Sequence, residues 1–117
     1  SIFPYVEDFE SYTTSPSSYA SSGELEDYCW NVSSTNPGAY YTIFTSNVHS
    51  GSKSLNVYNN SIAGVTQTFA MPKVDVLAGK QISMWYKNFS GTVGTYALLE
   101  VGYLTNPNDL STFTVSA

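Results

Sequence analysis

Along most of this chain apolar and polar residues alternate in twos, the period at which successive side chains of a strand point to opposite faces. The clearest run is residues 96–115. There Ala97, Leu99, Val101 and Tyr103 alternate with Leu98, Glu100, Gly102 and Leu104, which predicts a strand whose odd-numbered face packs on a core. Asn106-Pro107-Asn108-Asp109 must then turn the chain, because proline removes a ladder donor and Asn and Asp side chains bond the backbone of a tight bend. Strand-forming residues resume over 111–115.

Toward the amino terminus, Phe3, Tyr5, Glu7 and Phe9 alternate with Pro4, Val6, Asp8 and Glu10, predicting an opening strand near a sheet edge, where Pro4 is tolerated. Residues 11–23 are Ser-rich and aperiodic and read as a long surface loop that continues through Glu24, Glu26 and Asp27. Tyr28, Trp30 and Val32 then share one face of a short strand, with Cys29 and Asn31 on the other, before the turn signal Asn36-Pro37-Gly38. Residues 40–45 are strand-forming and apolar on both faces, 46–53 are loop-like, and Leu55 and Val57 begin a strand that Asn59-Asn60 ends. Val65, Phe69 and Met71 predict another strand, with Gln67 as the polar exception on its inner face. Ala78-Gly79-Lys80 connects to a long strand over 81–89, in which Ile82, Met84 and Tyr86 face one way and Ser83, Trp85 and Lys87 the other.

About eight short strands separated by turns, with no convincing helix, predict an all-β fold: one domain over residues 1–117, built as an antiparallel two-sheet sandwich. Periodicity allows a jelly roll and an immunoglobulin-like sandwich equally. The alternation assigns Phe9, Trp30, Leu55, Val57, Phe69, Ile82, Met84, Leu99 and Val101 to the space between the sheets.

Composition narrows the partners. A chain of 117 residues is the size of one domain, and 42% hydrophobic with 15% aromatic residues excludes a disordered polymer. Four lysines, no arginine and nine acidic residues give a net charge of −5, a field that repels phosphate backbones, so nucleic acid is not an expected partner. No apolar run approaches the roughly 20 residues of a membrane span, and no basic segment leads into an apolar one at the amino terminus, so the chain reads as soluble and mature. The single Cys29 forms no internal disulfide, and the sequon matches at Asn31, Asn59 and Asn88 read as bystanders in an Asn- and Ser-rich sequence.

Four stretches, in order, are Asp8-Phe9-Glu10, His49-Ser50-Gly51-Ser52-Lys53-Ser54-Leu55, Ile82-Ser83-Met84-Trp85-Tyr86-Lys87, and Val101 through Asp109 followed by Ser111-Thr112-Phe113-Thr114. In this order the chain resembles the extracellular adhesin-type jelly-roll modules of bacterial surface proteins, related to the cleaved adhesin and MAM-like domains. The resemblance implies a jelly roll and a structural calcium held by Asp8, Glu10 and main-chain oxygens of the loop 50–53, Lys53 included, together with a late aspartate. Calcium suits such a place because it accepts carboxylate, carbonyl and water oxygens in flexible geometry. Modules of that kind continue into further strands beyond the one matching residues 111–117. The resemblance therefore implies an amino-terminal strand without its neighbour, open to pairing with that further segment or with another chain.

Catalysis finds little footing. His49 is the single imidazole, no nucleophile-elbow pattern occurs, and Cys29 between Tyr28 and Trp30 reads as a small core thiol. Nothing selects a carboxylate pair from Glu24, Glu26, Asp27 and Glu100. Aromatics offer more. Tyr40, Tyr58, Trp85 and Tyr86 cannot all point inward, and Tyr58, Trp85 and Tyr86 are the candidates to stack on a sugar or to anchor a protein partner. The expectation is a non-enzymatic adhesion module of a larger bacterial surface or secreted protein, acting outside the cell on a host or matrix protein or a glycan. The alternative is a carbohydrate-binding module appended to a glycoside hydrolase or other hydrolase.

Overall fold

Strand pairing is antiparallel and comes in twos. The computed structural model describes residues 5–12, 24–87 and 98–116. Six strands run in the order β1 (Asn31–Ser34), β2 (Tyr40–Phe44), β3 (Ser54–Tyr58), β4 (Gln67–Ala70), β5 (Gly102–Leu104) and β6 (Phe113–Val115), preceded by one four-residue helix, α1 (Glu24–Asp27). They form three antiparallel ladders, β1 with β4, β2 with β3, and β5 with β6. The fold is mostly strand, as the alternation requires, although α1 occupies a place the sequence assigned to a loop.

The chain clusters into two units, Ser1–Val76 and Leu77–Ala117. In the first, the β2–β3 hairpin is nested in sequence between β1 and β4. Its register sets Tyr41 opposite Val57 and Ile43 opposite Leu55, and the outer ladder sets Val32 opposite Phe69. The core is the buried cluster Tyr12, Leu25, Trp30, Tyr41 and Ile43, with Phe9, Val32, Leu55 and Phe69 packed against it. Tyr41 meets Phe69 edge-on at 5.6 Å between ring centroids, so the inner hairpin and the outer ladder contribute to the same apolar cluster. The two-faced character of residues 40–45 is realised: Tyr41, Thr42 and Ile43 are all buried. Gln67 meets its inner-face cost by donating from Nε2 to the Tyr58 carbonyl at 3.0 Å.

In the second unit the Asn106–Asp109 turn forms as its sequence dictates. The Asp109 N–H donates to the Asn106 carbonyl at 3.0 Å, and the Asn106 side chain accepts from the Asn108 N–H at 3.0 Å. Asp109 then caps a 3-10 turn, Leu110–Thr112, by accepting from the Ser111 N–H. Gly102 lies so close to its partner strand that an added Cβ would run into the Thr114 carbonyl oxygen.

Several expected positions differ. Residues 5–8 form no strand and 9–12 turn; Phe3 and Pro4 lie outside the described residues. Residues 81–87 form no ladder, so the alternation there has no sheet to lean on, and Ile82 and Met84 stand exposed instead of in the core. β5 begins at Gly102, after the strand's expected start, leaving Leu99 52% exposed, and within the ladder it is Gly102 and Leu104 that are half-buried while Tyr103 is exposed. The expected register on that face is therefore reversed in the paired segment. Val57, one residue from the end of β3, is also exposed. Tyr28 and Cys29 turn out of α1 instead of opening β1, and Cys29, at φ 69°, is exposed and not a core thiol.

Ile43→Ala should cost about 2–5 kcal/mol in chemical denaturation, the range for truncating a buried aliphatic, whereas Leu99→Ala should stay within about 0.5 kcal/mol. Equal losses at the two positions would contradict this division of core and surface. Asp109 gives a second check. Hydrogen bonds from the Ser111 hydroxyl and N–H hold its carboxyl below the ordinary value. Its stabilisation is complete above the unfolded value of about 3.9 and is lost as the pH falls through the lowered native one. An NMR titration should show the Asp109 pKa rising in Ser111→Ala.

Candidate functional site

Two of the residues expected around a metal, Glu10 and Lys53, lie in hydrogen-bonding contact although they are 43 positions apart in the chain. Phe9 takes a left-handed conformation, φ 61°, rare for a bulky residue and unfavourable by about 1–2 kcal/mol. Its turn is secured on both sides. The Glu7 carboxylate accepts the Phe9 N–H at 2.9 Å, Asp8 Oδ1 accepts the Glu10 N–H at 3.0 Å, and the Phe9 ring packs toward Tyr12 and Trp30. This turn sends the Glu10 side chain to the loop between β2 and β3.

There the Glu10 carboxylate is enclosed by donors. Oε1 accepts the Ser52 N–H at 2.7 Å and the Lys53 N–H at 2.9 Å, while Oε2 accepts the Ser52 hydroxyl. Lys53 answers in the other direction, its Nζ donating to the Glu10 carbonyl at 2.8 Å and the Tyr12 carbonyl at 2.6 Å. The Ser52 hydroxyl foremost, with the two amides and the Lys53 charge, holds the Glu10 carboxyl below its ordinary value. Gly51 makes the approach possible. Its φ is +75°, and a Cβ there would sit 2.5 Å from Glu10 Oε1.

Behind the turn, Tyr12 is 2% exposed and its hydroxyl is doubly used: it donates to Glu7 Oε2 at 2.8 Å and accepts Trp30 Nε1–H at 3.0 Å. Burial first, then the negative Glu7 partner, push the Tyr12 phenol well above its ordinary value. Tyr5 is raised for the same two reasons and reaches Glu7 Oε2 at 3.4 Å. The segment 5–12 is thus a strap, fastened by Glu10 at one point and by Tyr12 at another.

Asp8 and Glu10 do not share one side of a strand, because the segment is turned; Asp8 is engaged with the backbone of Glu10. Among the described residues no group of three or more His, Cys, Asp or Glu side chains comes together as a metal site. The side-chain parts played by Glu7, Tyr12 and Lys53 were not read from the sequence. One signal was present: Lys53 is the first cationic side chain of the chain, following six acidic residues.

The aromatic candidates stand elsewhere. Tyr58, in the first unit, is 41% exposed and packs on Tyr40 at 5.2 Å between centroids. Trp85 and Tyr86, in the second, are 78% and 72% exposed. His49 lies in the exposed bend before Gly51. No helix among the described residues is long and apolar enough to cross a membrane. Comparison with known proteins adds no relative: no family model, no curated protein and no solved structure matches this chain.

Gly64, at φ +72°, has open space around a would-be Cβ, so Gly64→Ala should lose only the backbone term of about 1–2 kcal/mol. Gly51→Ala should lose more, since it must also displace Glu10. Denaturation midpoints of the two variants provide the test, and an equal loss would mean that the Glu10 contact contributes nothing.

Proposed function

We propose that the chain is a non-catalytic binding module of a larger bacterial surface or secreted protein, a jelly-roll sandwich whose work is adhesion outside the cell. The observation that carries this reading is the indole of Trp85, 78% exposed and followed in sequence by a tyrosine that is 72% exposed. A large aromatic left in water is a reserve of binding energy. Covering about 100 Å² of it contributes about 2.5 kcal/mol at the usual apolar coefficient. Tyr and Trp combine an apolar body with a polar tip, which suits both a protein interface and the apolar face of a pyranose.

The same indole supports the second reading, a carbohydrate-binding module appended to a hydrolase, because stacking on a sugar ring needs an accessible flat face. The charge of −5 argues against anionic polymers in either reading.

The deciding experiment measures binding to purified matrix glycoproteins before and after enzymatic deglycosylation, alongside soluble neutral polysaccharides. Binding that survives deglycosylation identifies a protein ligand; binding lost with the glycan and reproduced by a polysaccharide identifies a sugar. In either case Trp85→Ala should weaken the interaction tenfold to a hundredfold, equivalent to about 1.4–2.8 kcal/mol, at an unchanged melting temperature. Retention of full affinity by Trp85→Ala would remove this surface from the account.

A further inference from the structure

The corner where the strap meets the β2–β3 loop already contains a cation. Lys53 Nζ lies between two carbonyl oxygens, 2.8 Å from Glu10 and 2.6 Å from Tyr12, and its own backbone N–H is one of the donors on the Glu10 carboxylate. The ammonium therefore closes a ring: Glu10 side chain to Lys53 backbone, Lys53 side chain to Glu10 backbone.

The calcium implied by the resemblance would use the same oxygens, and the donor set fits it poorly. Calcium takes six to eight oxygen ligands. Here the loop turns two N–H groups and a hydroxyl toward the Glu10 carboxylate, so the positive ends of their dipoles occupy the space a metal would need. Asp8 Oδ1 accepts from the Glu10 N–H. The two carbonyls best placed to complete a coordination shell are those bonded to the ammonium. An ammonium with three donors can serve two carbonyls and still direct charge toward a nearby carboxylate, which a neutral side chain cannot.

We infer that the Lys53 ammonium is the resident cation of this corner, a positioning group that fastens residues 10–12 to the loop and does there what a divalent metal would otherwise do. The strap accordingly docks without metal, and Lys53 acts through its side chain where the resemblance would have it supply a main-chain oxygen.

The test compares melting temperatures of the chain in EDTA and in millimolar calcium chloride, for the natural sequence, Lys53→Met and Lys53→Arg. The expected result is a natural chain indifferent to both additions, a Lys53→Met variant that melts lower and is not restored by calcium, and a Lys53→Arg variant that regains most of the loss. Hydrogen exchange supplies a local readout: the amides of Ser52 and Lys53 should lose protection in Lys53→Met while those of β2 keep theirs. A fall in the melting temperature of the natural chain with EDTA would overturn the inference. So would a Lys53→Met variant indistinguishable from the natural chain in calcium, since a ligating main-chain oxygen survives that substitution. Should Lys53→Met fail to fold, the response of the natural chain to EDTA still decides.

Discussion

Burying a tyrosine commits its hydroxyl to a partner, and two of the tyrosines described in the first unit are buried. Tyr12 and Tyr41 are each 2% exposed, and their hydroxyls are used in the same way, donating to a glutamate and accepting an N–H. Tyr41 donates to Glu26 at 2.6 Å and accepts the Leu25 amide at 3.2 Å; Tyr12 donates to Glu7 and accepts the Trp30 indole N–H. An unpaired buried hydroxyl is unfavourable by about 1–3 kcal/mol, so each ring can remain in the core only while its flanking segment stays in place. One hydroxyl thereby anchors α1, a single turn too short to persist unaided, and the other anchors the strap. Each flank also brings an apolar side chain to the core, Phe9 from the strap and Leu25 from α1, so burial and the polar tips act together.

The strap shows where charge enters this arrangement. Glu7 faces inward to phenols and an amide, and Glu10 faces a loop that offers N–H groups and a hydroxyl. Seven of the nine acidic residues lie in Ser1–Val76, against two of the four lysines. Two of those acids are consumed in fastening the amino-terminal segment, which gives them a structural purpose distinct from solvation. The second unit carries balanced charge and the most exposed indole among the described residues.

Much of the fold was legible because its signals are local. The two-faced run at Tyr41-Thr42-Ile43 became a strand buried on both sides, and the Asn106–Asp109 bend formed with the bonds its residue types supply; Glu10 hydrogen-bonds Ser52 and Lys53 of the loop 50–53. What failed was alternation without a partner. Period two says which side chains share a face, and it places that face inward only where a ladder forms; residues 81–87 have the period and no ladder. The left-handed Phe9 left no trace in the sequence either, since nothing in an aromatic residue announces a positive φ. At the candidate site Glu10 and Lys53 were named together for main-chain and carboxylate oxygens, and the contacts the structure shows there also include the Lys53 ammonium, bonded to the Glu10 and Tyr12 carbonyls.

The turn that carries Tyr28 and Cys29 out of α1 has a use of its own. It places the one thiol of the chain outside the core, one residue before the buried Trp30 and next to the tyrosine ring that packs on Tyr12 at 4.6 Å. A maleimide dye would thus attach at a single defined atom, next in sequence to the buried Trp30, without an engineered cysteine. The same geometry sets a handling rule: two copies can become covalently joined through this sulfur and no other, so a band at twice the monomer mass on a non-reducing gel is oxidation at position 29.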